Sequence, residues 1–339
     1  MPRSPIQTRV QPLKLIKRRK KILGLGIITM VMILSLVWQA SYTGWFFSER
    51  ELKVWVFDVG QGDAIFIETP DGKQILVDAG AGGTILTKLG EVMLPWDRTI
   101  DAVVVTHPHA DHEGGLPEVL RRYNVGTIYE TGVLGYNDLQ ETVEELVSEK
   151  GTETVMLTNS TLPLQPAPRS PSEVGSGEAS PVARLWPRGR GEGAPTDEKL
   201  KLEFLAPDTN LQNKKIDNLN NSSIVLLLTY GETSILLTGD AAFEEEPEIL
   251  NDITEPIDIL KIAHHGSVTS TSREFLETVA PRYAIISVGA ENDYGHPHPV
   301  TLERLKTQNI ESFRTDLDGD ILITSTGGEP TVESRPLPF

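Results

Sequence analysis

Three imidazoles and one carboxylate fall within six residues, in the run His107–Pro108–His109–Ala110–Asp111–His112. Imidazole and carboxylate together suit zinc, manganese or iron, and geometry rather than ligand type selects among them. A polar surface loop would leave four such groups repelling one another, whereas a cation accounts for all of them. Pro108 turns His107 away from helical angles, so His107 and His109 project from extended backbone. Asp111 and His112 follow at the start of a helix expected over 116–122. Two ligand pairs made this way can face two metal ions lying side by side.

The chain has seven histidines, and the other four form two further clusters, His264–His265 and His296–Pro297–His298. Each polar cluster lies just past an apolar run of strand type. Val103–Val105 leads to His107, Ile235–Leu237 to Asp240, Ile259–Ile262 to His264, and Ile285–Val288 to the His296 loop. Strand ends on one edge of a layered fold form a common rim, so these clusters are expected to share one pocket. Asp240, behind a glycine at a strand end, can bridge two ions with its two oxygens; the alternative is a turn aspartate. Alternation in a strand sends His264 and His265 to opposite faces. One is then a ligand, taken as His264, and the other, His265, donates to substrate or packs. His296 and His298, each held extended by a following proline, suit an anionic oxygen or a leaving group. Asp63, Asn221, Lys261 and Ser267 are the candidate substrate contacts, with capping or surface roles as the alternative for Lys261 and Ser267.

The elements that must carry these groups are mostly strands. Leu52–Phe57 is predicted as a strand, and Ile65–Ile67 pairs with Gln74–Val77 across Pro70–Gly72. Val125–Tyr129 is another strand, and Asn137–Lys150 is an amphipathic helix with Leu139, Val143 and Val147 four apart. Ser223–Tyr230 and Thr233–Thr238 read as a hairpin, Ile257–Ala263 and Ala284–Val288 as buried strands, and Ser272–Val279 as a helix. Strands near Glu311–Arg314 and Ile321–Thr324 close the domain. Residues 161–199, rich in proline, serine and glycine, read as a disordered insertion. The pattern is α+β: two sheets face to face with helices outside.

Charge is unevenly spread. Residues 1–21 carry eight Lys or Arg and no acid; taking that +8 from the net −17 leaves −25 on the rest. So acidic a body lacks the basic surface that non-specific nucleic-acid binding needs. There is no cysteine, which excludes disulfides, thiolate zinc sites and thiol catalysis. Residues 22–47 carry no charge and end in Trp38, Tyr42, Trp45, Phe46 and Phe47. They read as a single membrane anchor with an aromatic belt, the basic tail 1–21 cytoplasmic and residues 50–339 outside. A cleaved signal peptide and a buried helix are the alternatives.

Six motifs stand in order along the chain: Asp58–Ala64, Thr106–Gly115, Asn221–Leu226, Leu237–Asp240, His264–Ser267 and Tyr294–Pro299. The His-x-His-x-Asp-His run resembles the signature of the metallo-β-lactamase superfamily. The whole series, over about residues 52–325, resembles the extracytoplasmic hydrolase domain of ComEC-type DNA-internalisation proteins. The resemblance implies a four-layer αβ/βα sandwich with two divalent ions, zinc or manganese, on one edge. It implies His107, His109, Asp111, His112, Asp240 and His264 as ligands. Two departures stand out. A single membrane segment is no DNA channel. The histidine that many superfamily members carry between His112 and Asp240 is absent, with Asn221 or Ser223 in that region. One ion is then held loosely, or completed by His296 or His298.

The expected activity is hydrolysis of a phosphodiester such as single-stranded DNA, with Asp111, His265, His296 and His298 as the catalytic set. A cell-envelope phosphoester such as phosphorylcholine, or a lactam or lactone, suits the same centre. A tethered module that merely holds metal is the non-enzymatic alternative.

Overall fold

The computed structural model describes residues 29–35, 51–135, 138–157 and 200–335. They fall into two units, divided after Arg50. In the first, residues 29–35 form a short exposed helix, α1. No helix among the described residues is long and apolar enough to cross a membrane. The basic tail, the remainder of the expected anchor 22–47 and the expected insertion 161–199 lie outside the described residues.

The second unit is built on two sheets. In chain order its first strands are β1 (Leu52–Val56), β2 (Ile65–Glu68), β3 (Gln74–Val77), β4 (Thr99–Val104), β5 (Asn124–Glu130) and β6 (Glu153–Met156). There follow β7 (Leu200–Ala206), β8 (Val225–Tyr230), β9 (Thr233–Leu237), β10 (Ile259–Lys261), β11 (Tyr283–Ile286) and β12 (Glu311–Arg314), then β13 (Asp320–Ser325) and β14 (Thr331–Arg335). The larger sheet runs β14-β13-β1-β2-β3-β4-β5-β6 and the smaller β12-β11-β10-β9-β8-β7. Each half follows one plan. An antiparallel meander (β1 to β3, β7 to β9) leads into parallel strands (β3 to β6, β9 to β12).

Alternation builds the layers. On β9, Ile235 and Leu237 join Leu52, Val54 and Val56 of β1 in the core between the sheets. Leu236 points the other way, onto the helices α6 (Glu246–Asp252), α7 (Arg273–Val279) and α8 (Pro299–Thr307). The outer face of the larger sheet is covered by α2 (Thr84–Val92), α4 (Leu116–Arg122) and α5 (Asp138–Lys150). Leu116, Val119 and Leu120 of α4 give the one-sided apolar stripe such a covering helix needs. Helix, sheet, sheet and helix make the four layers expected from the sequence.

Parallel neighbours also align the strand ends. β9, β10 and β11 run side by side in one direction, with Leu237, Lys261 and Ile285 in register. Their downstream loops therefore emerge on one edge. β3 and β4 do the same across the interface, ending together at Val77 and Val104.

Candidate metal centre

Where β4 ends, Thr106 gives way to the histidine run, and a single turn of helix, α3 (Ala110–Glu113), carries Asp111 and His112. The rings of His107 and His112 lie 4.2 Å apart, those of His107 and His109 4.6 Å. His112 is fully buried, and its Nδ1 stands 2.8 Å from Asp78 Oδ2. Asp78, at the tip of β3, also accepts from the Thr106 amide and hydroxyl at 2.8 and 2.7 Å. That carboxylate sets the His112 tautomer and leaves Nε2 free to face Asp240. Asp78 is absent from the residues expected from sequence. The strand-end regularity that singled out Asp240 applies equally to β3 and would have found it.

The Asp58–Ala64 loop reaches in between β1 and β2. A Cβ at Gly62 would lie 1.9 Å from the Asp111 carbonyl oxygen, and its φ is +120°. Only glycine allows that approach, which lets the Asp63 amide donate to Asp111 O at 3.2 Å.

From the other half, Asp240 follows β9 and is buried. His264 and His265 follow β10, not in extended backbone but in a tight turn, Ala263–Gly266, with φ of 49° and 53°. Side chains there cost about 1–2 kcal/mol each. The strict alternation expected of a strand does not apply, and both rings come round to Asp240. His264 Nε2 is 3.9 Å from Asp240 Oδ2, and His265 Nε2 is 3.6 Å from Asp240 Oδ1.

The atoms sort into two groups, one on each oxygen of Asp240. The deep group is Asp111 Oδ2, His112 Nε2, His265 Nε2 and Asp240 Oδ1. Its contacts are His265 to Asp111 at 3.3 Å, His265 to Asp240 at 3.6 Å and His112 to Asp240 at 3.3 Å. Ligand atoms about 2.0–2.2 Å from a tetrahedral ion are spaced about 3.3–3.6 Å from one another. His112 Nε2, His265 Nε2 and Asp240 Oδ1 are buried and have no hydrogen-bond partner among the described residues. Each such orphan costs about 1–3 kcal/mol, and a shared cation would relieve all three. The donor set fits a divalent ion.

The outer group gathers on Oδ2: His107 Nε2 at 3.8 Å, with His109 Nδ1 2.9 Å beyond it, and His264 Nε2 at 3.9 Å. Asn220 Nδ2 lies 3.2 and 3.3 Å from the two ring nitrogens of His264.

The electrostatics show what the cluster lacks. Burial opposes a charged His265, yet Asp240, Asp111 and Asp63 outweigh it and raise the imidazole to about 9. His112 is likewise raised, against its burial, by Asp240 and Asp78. Burial also opposes the Asp111 charge, but the adjacent His265 and His112 imidazoles hold the carboxyl at about 2. His107 is driven well down by burial and by His112. The carboxylates thus draw positive charge onto the deep group.

Other expected residues lie elsewhere. Asp63 and Lys261, expected to meet substrate, are buried and paired with each other at 2.9 Å, behind His265. Ser267 turns inward, bonding to the Thr269 hydroxyl and amide at 3.0 and 3.3 Å. Asn221 accepts from Asn218 at 2.8 Å, and its neighbour Asn220 faces the cluster instead. Ser223 Oγ accepts from the Asp240 amide at 3.1 Å and lies 3.5 Å from His107 Nδ1. His298 caps α8, accepting from the Val300 amide at 3.2 Å. His296 stays at the rim, its ring 5.6 Å from His264 and stacked 5.8 Å from the exposed Tyr294. Burial and then His264 hold its imidazole down at about 4, so it is neutral at pH 7.

The chain is similar to three known proteins, two of them named for competence or recombination. It is 29% identical to ComE operon protein 3 of Bacillus subtilis, over 80% of this chain and 33% of the relative. It is 27% identical to competence protein ComA of Neisseria gonorrhoeae, over 87% and 35%. It is 28% identical to recombination protein 2 of Haemophilus influenzae, over 88% and 31%. The matched region is thus about a third of each relative's length. The model of the metallo-beta-lactamase superfamily matches residues 57–290, a span that holds every side chain of both groups on Asp240. Motif order, layered architecture and converging strand ends agree with that match, and the chain belongs to the metallo-beta-lactamase superfamily.

Proposed function

We propose that this chain is a two-cation phosphodiesterase that cuts nucleic acid, held at a membrane by residues 22–47. The observation that carries the reading is the deep group, in which Asp240 Oδ1 stands at ligand spacing from His112 Nε2 and from His265 Nε2, all three lacking a hydrogen-bond partner among the described residues. Asp111, His112, His265 and Asp240 would hold one cation. His107, His109 and Asp240 would hold another, with His264 in place of the absent histidine. Two divalent ions, zinc or manganese, would supply Lewis acidity, lowering the pKa of water to about 7 and offsetting phosphate charge.

The residues then divide the work. Asp111 is 28% exposed on its side chain and held ionised, so it orients an incoming water and accepts a hydrogen bond from it. His296, neutral at pH 7, donates a hydrogen bond to the substrate rather than a proton to the leaving group. The nucleic-acid substrate rests on the competence and recombination names of two of the relatives. A small envelope phosphoester is the second reading, favoured by the −25 carried outside residues 1–21.

The test is the purified full chain with Mn²⁺ or Zn²⁺, offered single-stranded DNA, a phosphorylcholine ester and a chromogenic phosphodiester. Cleavage of DNA that weakens with salt, and is lost in Asp111→Ala and Asp240→Ala, is the expected result. Turnover of the phosphorylcholine ester alone selects the second reading. Hydrolysis of none of the three, with metal bound, leaves a metal-holding module.

A further inference from the structure

Lys261 is among the largest fully buried side chains of the protein. It ends β10, and alternation places it with Ile259 on the face turned to the other sheet. An ammonium there costs several kcal/mol unless it is paired. Lys261 Nζ lies 2.9 Å from Asp63 Oδ2 and donates to the Ile262 carbonyl at 2.9 Å. Asp63 is also buried, and its amide and carbonyl are tied to Asp111 and Gly80 at 3.2 and 2.8 Å.

The pair is aimed. Asp63 Oδ1 has no hydrogen-bond partner among the described residues and stands 3.5 Å from His265 Nδ1. That nitrogen is 3.0 Å from the Ser287 carbonyl oxygen. Two acceptors therefore flank Nδ1, which keeps its hydrogen there and turns the Nε2 lone pair toward Asp111 and Asp240. The ion pair forms a dipole whose negative end faces the imidazole. Lys261 keeps Asp63 from presenting an uncompensated charge inside the fold.

We propose that Asp63 and Lys261 are positioning residues that fix His265 as a cation ligand and set how tightly the deep group holds its ion. This rests on the deep group being a cation site, as read above. An outer partner of a ligating histidine is typically worth about 10–100-fold in metal affinity.

The experiment uses the full chain and Zn²⁺ alone, titrated against a chelating dye, alongside thermal melting of the metal-free protein. Asp63→Asn and Lys261→Met each leave one buried charge unpaired and are expected to lower the melting temperature. The double variant removes both charges and is expected to recover most of that loss. Its tighter zinc step is still expected to weaken by about tenfold or more. Lys261→Arg keeps the charge and is expected to retain wild-type affinity, which provides a readout should the other variants not fold. Wild-type zinc affinity in the double variant, or a tenfold loss in Lys261→Arg alongside full affinity in Lys261→Met, overturns the proposal. A wild-type chain that binds no zinc instead removes the cation-site reading, and this inference with it.

Discussion

The two oxygens of Asp240 face unlike neighbourhoods. On the Oδ1 side, His112 and His265 are buried, and the second nitrogen of each ring is held, by Asp78 at 2.8 Å and by Ser287 at 3.0 Å. On the Oδ2 side, His107 is buried, but His264 is 26% exposed on its side chain, with Asn220 and Thr269, at 3.2–3.4 Å, near its ring nitrogens. His109 is also partly open. Preorganised ligands lose little freedom on binding, whereas side chains held by fewer contacts must be ordered first. The deep group should therefore bind an ion tightly and the outer group weakly, although the ligand types are nearly the same.

The shared carboxylate gives the largest expected effect. Asp240→Ala should abolish both metal equivalents and lower hydrolysis by on the order of 10³-fold. Metal analysis after gel filtration checks it. Retention of one full equivalent would break the idea that one side chain serves both groups.

Single ligands should then tell the groups apart. His265→Ala is expected to remove the tight zinc step, whereas His109→Ala should remove only the weak one and leave the tight one in place. A titration in which both variants lose the same step would erase the distinction. Asp78→Asn acts one bond further out. It weakens the fix on His112 Nδ1, and the tight step should weaken by about 10–100-fold, with little change in the weak one.

How legible this was follows from where the groups come from. The larger sheet delivers four ligand candidates in one continuous run, and a run of six residues needs no fold to be noticed. The smaller sheet delivers one cluster per strand end, and only the parallel register of β9, β10 and β11 brings those ends together. Many strand and helix positions were readable, because alternation and helical spacing leave a trace in apolar residues, but α2, α6, α8, β6 and β14 were not among them. The division between His264 and His265 was not, because left-handed backbone at both positions breaks the period on which the expectation rested. Asp63 and Lys261 were misplaced for a related reason. Charged residues beside a site look like substrate contacts until burial shows them paired with each other.

The smallest expected effect separates the site from the electrostatics of its support. Just past Asp240, the Ala242 amide donates to Glu245 Oε2 at 2.9 Å. Burial, above all, raises the Glu245 carboxyl from 4.5 to about 7, against the pull of that amide and with Glu244 adding to the rise. A folded-state value above the unfolded one means that the folded chain binds the extra proton. The stability this contributes is complete below pH 4.5 and lost as pH rises through 7. Glu245→Gln keeps an oxygen for the Ala242 amide and removes the charge. It should leave stability at pH 5 nearly unchanged and raise it at pH 8 by about 1–2 kcal/mol, after allowance for solvent screening. Denaturant melts at the two pH values measure this, and zinc titration of the same variant should show both steps unmoved. If the weak step alone shifted, the outer group would be coupled to the loop behind Asp240, and its looseness would be a property of that loop rather than of its own partly open imidazoles.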